Sequence, residues 1–338
     1  LLEESLCKWF AKKIGFNDFS GGIAASGGTL SNLNALIAAR NNAGLGSEPN
    51  SVLLVSEDAH SSFVKCIRVM GLDTRNLVRI KTDNQGRMDI NDLRNSLDKC
   101  SIENKKIFAI VATLGTTVRG AIDPIKEISE ICKQRNIWLH IDGSIGGIFA
   151  ITSIPIEGLN NINQANSITI NPQKIIGITK TSSLLLVSNM STLENTFNTG
   201  LPYISSKENI INRGEIGIQG SRPAEVIKLW LGLRFLGLNG IENILKSSIK
   251  RKDFFIKNIS KNKFDIYSGP LHIVSFLPNK LEPKDSDAWT QTKVNELINN
   301  NFMLSRPKFK GKYFLRVVMG NYNTKESHIE ELLRLLDA

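Results

Sequence analysis

Trp138-Leu-His-Ile-Asp142 and Ser167-Ile-Thr-Ile-Asn-Pro-Gln-Lys174 are two short apolar runs, each ending in a side chain able to do chemistry. Runs of this length bounded by turn residues read as buried strands. Matching runs stand at Val52-Leu-Leu-Val55, Leu77-Val-Arg-Ile80, Ile107-Phe-Ala-Ile-Val-Ala112 and Ser183-Leu-Leu-Leu-Val187. Patterns with helical spacing, at 31–43, 60–71, 89–99 and 124–135, separate most of them. This alternation predicts an α/β fold, a mostly parallel sheet flanked by helices. The run at 183–187 follows its predecessor too closely for a helical crossover, so an antiparallel neighbour is expected there.

Farther along, 222–236 reads as a helix with Pro223 inside its start and Gly237 past its end. A helix at 241–260, strands at 264–276 and 313–319, and helices at 285–300 and 325–336 complete a smaller α+β part. The expected division is a large α/β domain over 1–238 and a small C-terminal domain over 239–338. No internal repeat or low-complexity tract interrupts it.

The 338 residues include 41% hydrophobic and 22% charged side chains, the balance of a soluble enzyme. No uninterrupted apolar run approaches the roughly 18 residues of a membrane span. The formal charge of +10 is spread along the chain without a basic block or interleaved aromatics, which argues against a nucleic-acid partner. Cys7, Cys66, Cys100 and Cys132 form no CxxC or CxxH pair. That disfavours a metal site and a disulfide framework, and a cytoplasmic location is expected. The opening Leu-Leu-Glu-Glu-Ser-Leu-Cys-Lys-Trp-Phe has helical spacing and no signal-peptide order, so it reads as a mid-domain helix with residues expected upstream.

The loops following these strands hold the candidate chemistry. Ala25-Ser-Gly-Gly-Thr-Leu-Ser-Asn32 opens a helix with small residues, where Gly28 and Thr29 could present N–H and hydroxyl donors to a phosphate. The same glycines could form only a turn and an N-cap. In Asp58-Ala-His60-Ser61-Ser62 the flat His60 ring could stack on a planar group, and helix capping explains Ser61 equally well. Ala112-Thr-Leu-Gly-Thr-Thr117 brings the Thr117 hydroxyl to the same edge, whereas Asp123, before Pro124, reads as a helix cap. A lysine such as Lys174 can hold an aldehyde cofactor as a Schiff base, and a buried carboxylate such as Asp142 can keep a pyridine nitrogen protonated. Five such loops on one sheet edge suit pyridoxal 5'-phosphate.

In this order the residues resemble the group II pyridoxal-phosphate decarboxylases, the aromatic-amino-acid, glutamate and diaminobutyrate decarboxylases of fold type I. The likeness spans nearly the whole chain through SGGTLSN at 26–32, DAHSS at 58–62, ATLGTT at 112–117, IDP at 122–124, WLHID at 138–142, SITINPQK at 167–174, GIQGSR at 217–222 and LRVVMGN at 315–321. The resemblance implies that Lys174 anchors the cofactor, Asp142 meets its ring nitrogen, and Gly28, Thr29 and Asn171 hold its phosphate. It also implies that His60 stacks on the ring, Ser144 packs on the opposite face, and Thr117 lies near the ring oxygen or the substrate. Tyr203 is the nearest candidate for the family's proton-donating loop tyrosine, with a packing role equally open. Arg316 is expected to be structural.

The implied activity is decarboxylation of a small-molecule L-amino acid by a cytoplasmic homodimer whose N-terminal family segment is missing here. Departures from the family pattern are Gln173 where histidine is usual, Asp142-Gly-Ser-Ile145 where Asp-Ala-Ala-Tyr is usual, and Lys180 and Ser182 after the lysine. They leave two alternatives: another fold type I lyase or aminotransferase, and a catalytically weakened cofactor-binding homologue.

Overall fold

The computed structural model describes residues 1–179, 182–200 and 212–337. Helix α1 (Leu2–Lys13) leads to β1 (Gly21–Ala25) and α2 (Gly28–Asn42). Then come β2 (Ser51–Ser56), α3 (Ser62–Val69), β3 (Leu77–Ile80), α4 (Ile90–Ile102), β4 (Lys106–Thr113), α5 (Ile125–Arg135) and β5 (Trp138–Gly143). Strands β6 (Ser167–Ile170) and β7 (Ser183–Val187) follow, then α6 (Ser191–Phe197). These strands form a seven-stranded sheet in the order β1-β7-β6-β5-β4-β2-β3. Strand β7 alone is reversed, pairing antiparallel with both β6 and β1.

The reversed β7 is the antiparallel neighbour that the short connection predicted. Strand β1 was missed, because Gly21-Gly-Ile-Ala-Ala25 lacks the bulk of a strand. Its glycines are needed where they lie: a Cβ on Gly22 would overlap the Leu185 carbonyl oxygen, so glycine lets β1 lie flush against β7. Every residue of β2, β5, β6 and β7 is buried, as expected for strands covered on both faces.

Helix α7 (Val226–Asn258) breaks its geometry at Gly237, where φ is +60°, and resumes at once. The sequence placed this interruption correctly, though the helix starts after Pro223. Before and after the kink, Leu229, Ile241 and Leu245 pack into the sheet's core, and Phe255 and Ile259 pack into a second core. That second core lies under β8 (Phe264–Ser268), β9 (Ile273–Pro278) and β12 (Leu315–Val318), which form an antiparallel sheet, and under α8 (Ser286–Asn299) and α9 (Glu326–Asp337). Between α8 and β12 the short β10 (Lys308–Phe309) and β11 (Lys312–Tyr313) make a hairpin.

The C-terminal part grips the loop after β4. Arg316 Nη1 donates to the Thr117 carbonyl at 2.5 Å, the Ser275 hydroxyl donates to Val118, and Gly269 N–H donates to Arg119 at 2.6 Å. The Arg119 guanidinium faces the Phe309 ring at 4.8 Å and pairs with buried Asp58 at 3.5 Å. Backbone at the mouth of the sheet is thus held by the second core.

Candidate active site

With β1, β2, β4, β5 and β6 parallel, their carboxyl ends share one edge, where α/β sheets place ligands. Asp142 ends β5, in register with Thr113 of β4 and Thr169 of β6. Asn171 follows β6, and Pro172–Lys174 forms a 3₁₀ turn that brings Lys174 to the edge. Proline opens the turn because its missing N–H is unneeded there.

Asp142 is 4% exposed and accepts hydrogen bonds from Ser144 N at 3.1 Å and Asn32 Nδ2 at 3.1 Å. Burial pushes its pKa up, but hydrogen bonding from Ser144 and the nearby Lys174 charge outweigh it, and the carboxyl stays below its ordinary value. The site therefore contains a buried, ionised carboxylate. Lys174 itself is exposed at the edge.

Helix α2 begins at Gly28, after Gly27, which has no side chain with which to cap the helix. The N–H groups of Gly28 and Thr29, at the start of the helix, have no intrahelical acceptors and point, with the helix dipole, at the edge. A Cβ on Gly28 would lie 2.7 Å from Asn171 Nδ2 and 2.7 Å from Ser144 Oγ, so three separate loops converge on that glycine. The Ser183 hydroxyl donates to Asn171 Oδ1 and in turn neighbours Ser31 Oγ at 2.8 Å. This fixes the Asn171 amide with its Nδ2 donor toward Gly28 and the start of α2.

His60 stands exposed before α3, with Nδ1 accepting from Ser62 N at 3.1 Å, so the neutral ring carries its proton on Nε2. Protein packed around the ring lowers its pKa, Asp142 opposes that shift, and Lys174 reinforces it. His60 thus lies within electrostatic reach of both. Ser61, at the cap position, makes no capping bond; the His60 ring serves that end of α3 instead. Thr29 is exposed, Thr117 is half-buried and Ser144 is buried. Tyr203 lies outside the described residues, as does Lys180.

One residue read from sequence alone behaves differently here. Asp123 is not a helix cap: α5 begins at Ile125 without a side-chain cap, and buried Asp123 accepts from Met88 N and Thr113 N, each at 2.7 Å. Its neighbours in space, not in sequence, supply the donors. Gln173 Oε1 accepts from Ser182 N, tying the lysine turn to the start of β7. Its side-chain oxygen is engaged by backbone.

Asn32, His140 and Ser167 were passed over, although all three are buried behind Asp142. A histidine inside an otherwise apolar strand was the available signal for His140. Nothing in the sequence marked Asn32, because a helix-borne asparagine is ordinarily solvated.

An ionised carboxylate at the base of the edge, donors converging at a helix N-terminus and a lysine beside them suit a planar cationic ring bearing a phosphate. The clearance enforced at Gly28 and the inward-facing Asn171 amide fit that group. Fold and site together define a fold type I pyridoxal-phosphate enzyme.

Residues 1–276 match the model of the pyridoxal-dependent decarboxylase conserved domain, and the chain belongs to that family of amino-acid decarboxylases, with pyridoxal 5'-phosphate as cofactor. It is 29% identical over 345 aligned residues to an aromatic-L-amino-acid decarboxylase of Bacillus atrophaeus, covering 99% of this chain and 71% of that one. It is 31% identical over 278 residues to the acidic amino acid decarboxylase GADL1 of Xenopus tropicalis, covering 75% of this chain and 54% of the relative. The crystal structure of mouse CSAD in apo form superposes with a TM-score of 0.90 at 25% identity, across 99% of this chain and 75% of that one.

Proposed function

We propose that this chain removes the α-carboxylate of a small-molecule L-amino acid as carbon dioxide and releases the amine, with Lys174 as the covalent anchor of the cofactor. The meeting of Gly28, Asn171 and Ser144 beside ionised Asp142 supports this reading most directly. When bound, pyridoxal phosphate supplies an electron sink for the charge left at the α carbon. Asp142 holds a proton on the pyridine nitrogen, because an opposite charge in a buried place favours the protonated ring. The N–H groups of Gly28 and Thr29, with Asn171 Nδ2, bind the phosphate. His60 would cover one face of the ring and Ser144 the other, while Thr117 is positioned by the Arg316 bond to its carbonyl. Tyr203 is proposed as the proton donor to the α carbon.

The chain divides functionally into 1–238, which carries these groups, and 239–338, which braces the loop after β4. The kink at Gly237 supports that boundary. Exposed Leu231 and Phe235 on α7, 53% and 88% accessible, favour assembly as a homodimer. Four free, buried thiols favour a reducing, cytoplasmic location. Among the described residues no helix is long and apolar enough to cross a membrane, and no cluster of side chains suits a metal ion. Nothing in the geometry favours the aminotransferase or binding-homologue alternatives.

The test is visible absorption of the purified protein mixed with pyridoxal phosphate, compared with Lys174→Ala, followed by a panel of amino acids scored for carbon dioxide and amine. A Lys174-dependent band and release of both products are expected. A wild-type protein without that band would overturn the assignment of Lys174, and a band with no product across the panel would overturn the activity.

A further inference from the structure

Behind Asp142, away from the cleft, runs a line of buried polar side chains. Trp138 Nε1 lies 2.8 Å from Ser167 Oγ, Ser167 Oγ lies 2.8 Å from His140 Nδ1, His140 Nε2 lies 3.1 Å from Asn32 Oδ1, and Asn32 Nδ2 lies 3.1 Å from Asp142 Oδ2. His140 and Ser167 are fully buried, Asn32 is 1% exposed, and Trp138 is 6% exposed. No water is needed to complete the line.

The direction of every bond follows from its two ends. An indole N–H can only donate, so the Ser167 oxygen accepts from Trp138. An ionised carboxylate can only accept, so Asn32 must turn its NH₂ to Asp142 and its carbonyl oxygen to His140. His140 Nε2 therefore carries the ring proton. In the neutral ring its Nδ1 is then a bare acceptor and receives a hydrogen bond from the Ser167 hydroxyl. Each group donates to the next, and the last donates to the carboxylate. Reversing any amide or tautomer would set two donors or two acceptors face to face in a dry interior.

We propose that His140 and Asn32 are positioning residues for the cofactor: the one-way chain from Trp138 fixes the His140 Nε2–H tautomer and the Asn32 amide, and so holds Asp142 ionised and aimed at the ring nitrogen. This rests on the reading of Asp142 given above. Three elements supply the chain, with Trp138, His140 and Asp142 on β5, Ser167 on β6 and Asn32 on α2. Three of the side chains are set by strand register, because Trp138, His140 and Asp142 alternate along β5 and share one face. Helix α2 then brings Asn32 to that face one turn after Gly28, so the same helix organises both ends of the cofactor.

Burial also keeps His140 neutral, lowering its pKa to about 4. In the neutral ring Nδ1 accepts from the Ser167 hydroxyl while Nε2–H donates to Asn32, so both ring nitrogens are satisfied without a buried charge. Such a residue acts through Asp142 and touches neither cofactor nor substrate.

The test has two arms. In the first, histidine-¹⁵N NMR of the purified protein at neutral pH, without added cofactor, reads the tautomer, with His140→Gln identifying the resonance. The expected result is a neutral ring protonated on Nε2; an Nδ1–H tautomer or an imidazolium at His140 overturns the proposal. In the second, the dissociation constant for pyridoxal phosphate is measured for His140→Gln, which keeps a donor near the Nε2 position, and for Asn32→Leu and His140→Leu, which do not. Loss on the order of tenfold is expected for each leucine variant, with His140→Gln close to wild type. Circular dichroism and thermal unfolding check that the variants fold, and unchanged affinity in folded leucine variants overturns the proposal. The Lys174-dependent absorption band separates the two readings: a wild type that keeps it while the ¹⁵N result fails loses only the chain, not the cofactor site.

Discussion

Gly28→Ala puts the convergence of loops at the phosphate end under direct strain. The added Cβ would lie 2.7 Å from Asn171 Nδ2 and 2.7 Å from Ser144 Oγ. Ordinary contact begins near 3.5 Å, so each partner must retreat by about 0.8 Å. Ser144 can do so by rotating its hydroxyl. Asn171 can do so only by giving up the Ser183 bond to its Oδ1. In the ligand-free chain these side chains can shift at the cost of that one bond, about 1 kcal/mol. With the cofactor bound they cannot, and the overpacking of about 1–3 kcal/mol falls on binding, which corresponds to roughly 5- to 150-fold weaker affinity. Gly27→Ala is the control, because a Cβ there meets nothing within 4 Å although φ is +150°. It is expected to lower stability by about 1–3 kcal/mol through backbone strain while leaving affinity within about twofold of wild type. Pyridoxal-phosphate titration by absorbance and thermal unfolding of both variants separate the two effects. Gly28→Ala with wild-type affinity, or Gly27→Ala losing the more affinity of the two, would refute the steric account.

Two further perturbations address the scaffold. Glu3 Oε1 accepts from Ala24 N at 2.8 Å and Arg222 Nη1 at 2.6 Å and pairs with Arg213 Nη2 at 3.2 Å, pinning α1, β1 and the 213–222 loop together. Glu3→Gln leaves two mostly buried guanidinium groups short of a counter-charge and is expected to cost about 2 kcal/mol in urea unfolding, less than a fully buried pair because glutamine keeps an acceptor oxygen; a change within error would show that solvent already screens the cluster. Burial raises the Asp123 pKa from 3.8 to about 7 against the pull of two backbone N–H bonds. Its contribution to stability is therefore full below pH 3.8 and is lost as pH rises through about 7. The stability of wild type relative to Asp123→Asn should fall across that interval, with Asp58 titrating alike in both proteins. A pH-independent difference would mean that the two N–H bonds keep Asp123 ionised throughout.

Strand order along the chain and most of the site were legible from local pattern. Apolar runs closed by turns revealed β2 to β7, because a strand buried on both faces needs a continuous apolar stretch whatever surrounds it. Lys174, Asp142 and Asn171 were legible because each closes or follows such a run, and a parallel sheet sends those ends to one edge; the glycine loop was legible from its small residues at a helix start. Three things were hidden. Strand β1 was masked by Gly21 and Gly22, whose purpose appears only against the backbone of β7. Asp123 read as a cap because its real donors, Met88 and Thr113, come from other elements. Asn32 drew no reading, because its partners Asp142 and His140 come from another element.

By itself, then, the sequence determined the elements, their alternation and the chemical groups at the strand ends, since these depend on residue type and short-range periodicity. Tertiary structure alone decided which way the groups point and in what state they stand. The tautomer of His140, the amide orientation of Asn32 and the ionisation of Asp142 follow from donors and acceptors brought together by α2 crossing β5 and β6. Direction in a hydrogen-bonded chain is a property of all its members at once, and no local stretch of sequence contains them.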